Sequence, residues 1–276
     1  MIDPETLAAG AYLDAGGVRT HYHEAGAGAT ILFIHGSGPG VTAWANWRLI
    51  LPEAAAAAHV LAPDLLGFGY SARPDGATYG KDAWVDHLID FLDAKGVSRC
   101  SVVGNSLGGA LALALAVRRP DLVDRLVLMG ATGVPFRLTA GLDAVWGYQP
   151  SVEAMRSLIA DFFAYDASIA TDDLVRLRYE ASTQPGFQES YAAMFPAPRQ
   201  RWVDALVTPA EQIRTIAAPT LLLHGRDDVV IPLATSLTLL DLLPNAELHV
   251  FGTCGHWVQI EKRAAFTRLV LDFLLP

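Results

Sequence analysis

The chain has 276 residues, 52% hydrophobic and 18% charged, with 24 glycines and 16 prolines, which suits one large α/β domain or a core with an insertion and excludes a disulfide-stapled miniprotein or a disordered chain. Lys and Arg total 20 against 29 Asp and Glu, a net charge of −9 with no basic run, which argues against a nucleic-acid partner and requires a local cation in any pocket that takes an acidic substrate. Cys100 and Cys254 lack metal-ligand spacing, the amino terminus is acidic where a secretory signal would be basic, and the longest apolar run, Ala110 to Val117, is too short to cross a bilayer, so a cytoplasmic protein without a membrane partner is expected.

The first buried strand is expected at Ile31 to Ile34, where apolar residues without alternation suit a strand covered on both faces. It runs into His35-Gly36-Ser37-Gly38-Pro39-Gly40, a glycine-rich loop able to turn a backbone N–H toward a developing negative charge, with His35 expected to stiffen the loop by a hydrogen bond. Ala54 to Ala58 reads as helix, and His59 to Ala62 as a strand that ends near Asp64, a residue of loop architecture. Trp84, Leu88, Phe91 and Leu92 keep helical spacing. The strand Ser101 to Val103 then leads through Gly104-Asn105-Ser106-Leu107-Gly108-Gly109 into a helix carrying Leu107, Leu111, Ala114 and Leu115, and a strand follows at Leu126 to Leu128.

Between about Val134 and Leu206 the alternation stops, and Trp146, Phe162, Phe163, Tyr165, Tyr179, Phe187, Tyr191, Phe195 and Trp202 crowd together without a strand-like run. This reads as a helical insertion, placed where it would roof a pocket at the carboxyl ends of the strands. Strands return at Thr220 to Leu223 and Glu247 to Phe251, before a last helix with Phe266, Leu269 and Phe273. The expected architecture is a mostly parallel, doubly wound α/β sheet, with core segments 1–134 and 207–276 separated by a helical cap at 135–206. An eightfold barrel would need more evenly spaced strand and helix pairs.

Gly104-Asn105-Ser106-Leu107-Gly108, at the junction of a buried strand and a helix, is a nucleophile elbow. The glycines permit a strained turn that lifts Ser106 above the sheet, at a helix amino terminus that favours negative charge. A serine is a weak nucleophile at neutral pH and needs a base, which in turn needs an orienting carboxylate. Both follow downstream as Asp227-Asp228 and His256, each after a strand, in the order Ser, Asp, His of the α/β-hydrolase fold. The oxyanion hole is expected from the backbone N–H groups of Ser37 and Leu107. No metal cluster is legible, and Ser106 stands where a dinucleotide loop needs its second glycine, so no cofactor is expected.

The chain resembles the meta-cleavage product hydrolases, carbon–carbon bond hydrolases of the α/β-hydrolase superfamily, from about Val18 to Phe273. The resemblance rests on His35-Gly36-Ser37-Gly38-Pro39-Gly40 with Trp44-Ala45-Asn46-Trp47, on Gly104-Asn105-Ser106 and on Gly255-His256-Trp257. Leu142 to Tyr148 and Phe195 to Trp202 look like the 2-hydroxymuconic semialdehyde hydrolase branch.

That resemblance implies a 2-hydroxy-6-oxo-hexa-2,4-dienoate substrate with hydrogen or a short alkyl group on the distal carbonyl. The products would be 2-hydroxypenta-2,4-dienoate and a small carboxylic acid. It implies Ser106 as nucleophile, His256 as proton shuttle and Asp228, rather than Asp227, as its orienter. Asn46, Asn105, Arg178, Trp257 and Gly38 would then bind the carboxylate and dienolate, and a homodimer would be the working form. Whether Ser106 is acylated or His256 activates water directly stays open at this level. A carboxylesterase shares the triad, and a ligand-sensing protein could keep the fold without turnover. Dehalogenases and epoxide hydrolases of this fold carry an aspartate at the elbow, where this chain has Ser106.

Overall fold

Successive residues of the central strands enter two different cores, one on each side of a sheet. In the strand Thr30–Ile34, Leu32 and Ile34 join one apolar cluster while Ile31 and Phe33 join the other. The same alternation sends Val102, Leu126, Leu128 and Leu222 to the first side and Val103, Val127, Leu221 and Leu223 to the second, as the two-residue period of a strand dictates. This computed structural model describes residues 4–275.

The sheet has eight strands: β1 (Ala11–Ala15), β2 (Val18–Ala25), β3 (Thr30–Ile34), β4 (His59–Pro63), β5 (Cys100–Asn105), β6 (Val123–Met129), β7 (Thr220–Gly225) and β8 (Ala246–Phe251). Their spatial order is β1-β2-β4-β3-β5-β6-β7-β8. All neighbours from β4 to β8 pair in parallel, whereas β2 runs antiparallel to both β1 and β4. The six strands expected from apolar runs are β3 to β8. The first two went unread because β2 buries polar side chains. Thr20 Oγ1 meets His87 Nε2 at 2.7 Å, and His23 Nδ1 bonds the Leu7 carbonyl at 2.7 Å, so hydrogen bonds replace the hydrophobic signal there.

One local reading needs correction. The alanine-rich helix is Leu51–Ala55, not Ala54 to Ala58, since the chain must turn at Ala56 and Ala57 to start β4 with His59 beside Thr30. The last helix, Arg263–Leu274, buries Phe266, Val270 and Leu274, while Leu269 and Phe273 are only partly covered.

Between β6 and β7 the chain forms the helices Ala140–Trp146, Val152–Ser157, Asp172–Ser182, Phe187–Met194 and Gln200–Ala205, with a π-helical turn at Leu158–Phe163. Thr139, Ser151 and Thr171 cap three of them, each accepting a backbone N–H three residues on. Trp146, Phe187, Tyr191 and Phe195 form the interior of this segment, whereas Tyr165 lies on its surface. Among the described residues no helix is long and apolar enough to cross a membrane.

Candidate active site

Ser106 follows directly on β5 and adopts φ 56° and ψ −114°, a left-side conformation that a non-glycine residue holds only when its surroundings enforce it. They do so through hydrogen bonds on both sides. Ser106 N–H donates to the Met129 carbonyl at 2.9 Å, and its own carbonyl accepts from Gly109 N at 3.0 Å and Thr132 N at 3.2 Å. The glycines are there for close approach. A Cβ on Gly104 would lie 2.4 Å from the Gly108 carbonyl oxygen, and one on Gly108 would lie 2.3 Å from that of Ile34.

β7 and β8 end beside the elbow and deliver the other two groups. Asp228 Oδ2 stands 2.7 Å from His256 Nδ1, while Oδ1 accepts the backbone N–H of Val230 and Ile231 at 2.8 and 2.9 Å. Asp227 faces elsewhere, toward Arg226 and the Cys254 N–H. His224, at the end of β7, was not singled out in the sequence. Its Nε2 lies 3.0 Å from the Ile231 carbonyl and 3.5 Å from Asp228 Oδ2, and burial lowers its pKa, so the ring packs behind the carboxylate as a neutral donor.

Ser106 and His256 open on one cavity that is also lined by Ser37, Gly38, Asn46, Asn105, Arg178 and Trp257. The cavity holds about 20 Å³, room for about one water molecule. Among the described residues the backbone N–H groups of Ser37 and Leu107 carry no hydrogen bond. The loop that carries Ser37 is held from below. His35 Nδ1 bonds the Gly36 carbonyl at 2.7 Å, its Nε2 accepts Leu65 N–H at 3.0 Å, and burial keeps the ring neutral by lowering its pKa. Asp64 braces the next turn, accepting N–H from Ala43 at 2.6 Å and Tyr70 at 2.9 Å and bonding His21 at 2.9 Å. Burial opposes its charge, yet the hydrogen bonds from His21 and the Tyr70 N–H hold the carboxyl below its ordinary range.

One part of the cavity is polar and unsatisfied. Asn46 Oδ1 accepts from Asn105 Nδ2 at 2.9 Å, which leaves Asn46 Nδ2 and Asn105 Oδ1 buried without partners. Arg178 is 4% exposed, its Nε is unpartnered, and among the described residues it forms no ion pair. Its guanidinium lies 5.5 Å from the Trp257 ring, which in turn stacks on Phe163 at 4.6 Å. Burial, with Arg48 nearby, pulls its pKa down to about 10, still protonated at neutral pH. Buried polar groups are ordinarily paired, so a donor, an acceptor and a cation left open together mark a site shaped for an anionic, hydrogen-bonding ligand. Leu142, Val145, Val230 and Ile260 complete the wall with apolar surface. Among the described residues no group of three or more His, Cys, Asp or Glu is placed to hold a metal.

Residues 29–263 match the family of the alpha/beta hydrolase fold. The chain is 60% identical over 260 residues to the 2-hydroxy-6-oxo-2,4-heptadienoate hydrolase of Pseudomonas putida, covering 94% of each. It is 59% identical over 260 residues to the 2-hydroxymuconate semialdehyde hydrolase of a Pseudomonas species, covering 94% of this chain and 92% of that one. A meta-cleavage product hydrolase from Pseudomonas fluorescens, solved with bound acetates, superposes with a TM-score of 0.95 at 54% identity, covering 97% of this chain and 98% of the other.

Proposed function

The chain belongs to the meta-cleavage product hydrolases of the α/β-hydrolase fold, and from that premise we propose how its residues divide the work. It is a hydrolase of carbon–carbon bonds in ring-fission products of aromatic degradation. The observation that carries the residue assignment is the unpaired Arg178 beside the open amide groups of Asn46 and Asn105, in the same cavity as Ser106.

Arg178 grips the carboxylate of a 2-hydroxy-6-oxo-hexa-2,4-dienoate, and Asn46, Asn105, Trp257 and Gly38 surround its dienolate. In the first step the 2-hydroxyl loses its proton and C5 gains one, giving the 2,6-dioxo form. This protonation turns C5 into an sp³ centre, so the electrons of the C5–C6 bond can later flow back toward the C2 oxygen. In the second step Ser106 Oγ adds to C6 and its proton passes to His256, whose imidazolium Asp228 orients and stabilises. The oxyanion on C6 faces the Ser37 and Leu107 N–H groups. Its collapse breaks the C5–C6 bond, the proton held by His256 passes to the C2 oxygen of the departing dienolate, and 2-hydroxypenta-2,4-dienoate leaves with an acyl group remaining on Ser106 and His256 neutral again. Water, deprotonated by His256, then frees the small carboxylic acid.

The segment 135–206 acts as the cap over this site, with its Leu142 and Val145, together with Val230 of the core, facing the substituent on C6. Their bulk favours hydrogen or a short alkyl group over an aryl ring. The enzyme is further proposed to work as a cytoplasmic homodimer, a reading supported by the resemblance and testable by light scattering. The test of the substrate assignment is kcat/KM for formyl, methyl, isopropyl and phenyl analogues. Formyl and methyl substrates are expected to exceed phenyl by at least about tenfold, since one methylene in such a pocket is worth about 1–3 kcal/mol. A phenyl substrate that matches or outruns them rejects the assignment.

A further inference from the structure

The loop that carries Ser37 is gripped from above as well as from below. The Tyr191 hydroxyl lies 2.9 Å from the Ser37 carbonyl oxygen and 2.8 Å from that of Val145, sharing its one proton between them. Trp146 Nε1 donates to Ser37 Oγ at 2.9 Å. Both donors come from the helical segment, whereas Ser37 belongs to the core, more than a hundred residues away in sequence.

The peptide group is planar, so fixing a carbonyl fixes the plane that contains it. His35 holds the Gly36 carbonyl and with it the plane that contains the Ser37 N–H. Tyr191 holds the Ser37 carbonyl and with it the following plane. The two bonds together set both planes that meet at the Ser37 Cα, and so fix the loop conformation that turns the Ser37 N–H, beside that of Leu107, toward an oxyanion.

Tyr191 is itself firmly placed. It is buried, stacks on Phe187 at 5.7 Å and meets Phe195 edge-on at 6.1 Å, while Phe195 stacks on Trp146 at 4.4 Å. Its helix Phe187–Met194 is tied to the core where Ser190 Oγ donates to the Gly67 carbonyl at 3.2 Å. Burial raises the phenol pKa well above its ordinary value, so the hydroxyl keeps its proton and remains a donor at any working pH.

We propose that Tyr191 is a positioning residue for carbon–carbon cleavage, holding Ser37 so that the oxyanion hole is complete only while the helical segment is seated on the core. This inference rests on the hydrolase reading above and adds a selective prediction. Ketonisation needs Arg178 and the dienolate contacts but no oxyanion at C6, so it should not depend on Tyr191; cleavage should.

The experiment is a single-turnover rapid-mixing measurement of wild type, Tyr191→Phe and Trp146→Phe on the 6-methyl substrate, following ketonisation and dienoate release as separate phases. Tyr191→Phe keeps the ring packing and removes only the hydroxyl. It should slow dienoate release by about tenfold to a hundredfold, somewhat less than the loss of an oxyanion donor itself, leaving ketonisation and KM within about twofold of wild type. Binding of a short alkyl boronate, which forms a tetrahedral adduct with Ser106, should weaken in parallel with cleavage, while binding of a saturated carboxylate analogue should not.

Trp146→Phe should show the same selectivity with a smaller effect, and it decides the matter if Tyr191→Phe does not fold. Equal slowing of both phases, no slowing of either, or weakened carboxylate binding with intact boronate binding would overturn the proposal. Absence of dienoate release by wild type would instead reject the hydrolase reading on which it stands.

Discussion

Asp228 meets two histidines with one oxygen and the backbone with the other. Its Oδ2 is 2.7 Å from His256 Nδ1 and 3.5 Å from His224 Nε2, and its Oδ1 accepts two N–H groups of the turn that follows β7. The carboxylate is therefore aimed by the fold before any substrate arrives, and it presents a fixed acceptor to the ring that must gain a proton.

The neighbouring aspartate provides the control. Asp228→Asn should lower kcat by about 10⁴-fold by turning the imidazole to the wrong tautomer, whereas Asp227→Asn should leave kcat within about threefold, its side chain being engaged with Arg226 and Cys254 N–H. Steady-state rates of the two variants decide between them; the reverse pattern would move the role to Asp227.

Much of this was legible in the sequence because strand ends and elbows are local. A buried run ending in Gly104-Asn105-Ser106 fixes where the serine sits, and the strands before Asp228 and His256 fix their side of the sheet. The choice of Asp228 over Asp227 came from the resemblance of Gly225-Arg226-Asp227-Asp228 to the hydrolase pattern, and Asp228 is the one that meets His256. What stayed hidden was mostly long-range or polar. β2 is stabilised by Thr20 to His87 and His23 to Leu7 bonds that no periodicity reveals. The contacts of Trp146 and Tyr191 with Ser37 join residues more than a hundred positions apart, and nothing in the spacing of the aromatics tells which of them carries a useful hydroxyl. His224 had the one available hint, a polar residue at the end of an otherwise apolar strand.

Arg178 should trade stability for function. It is a buried cation beside the Trp257 face that, among the described residues, forms no ion pair. Arg178→Met should therefore stabilise the free enzyme by about 1–4 kcal/mol while lowering kcat/KM by roughly thirtyfold to several thousandfold, the equivalent of about 2–5 kcal/mol for a truncated buried charge pair. Thermal melting and steady-state kinetics on the same preparation test both halves. A variant that melts lower and binds substrate normally would return Arg178 to a structural role.

His87 should make the fold acid-sensitive. Burial, reinforced by His35, pushes its imidazole down to about 4, and it accepts Leu66 N–H at 3.2 Å in its neutral form. The unfolded chain protonates this residue near pH 6.5, but the folded chain does so only near 4. Its contribution is therefore intact above pH 6.5 and is lost as pH falls from 6.5 toward 4. Between pH 7 and pH 5 this amounts to about 2 kcal/mol. His87→Gln should remove that part of the slope in urea unfolding at the two pH values; an unchanged slope would place the acid sensitivity elsewhere.

The most direct test of the account is single-turnover kinetics of wild type and Ser106→Ala on a ring-fission product carrying a formyl or methyl carbonyl, beside a simple aryl ester. Wild type should consume the coloured dienolate and release 2-hydroxypenta-2,4-dienoate far faster than it cleaves the ester. Ser106→Ala should retain the early absorbance change of ketonisation and release the dienoate at least about a thousandfold more slowly. Dienoate release by Ser106→Ala at the wild-type rate, or ester turnover by wild type that outpaces the ring-fission product, would contradict it.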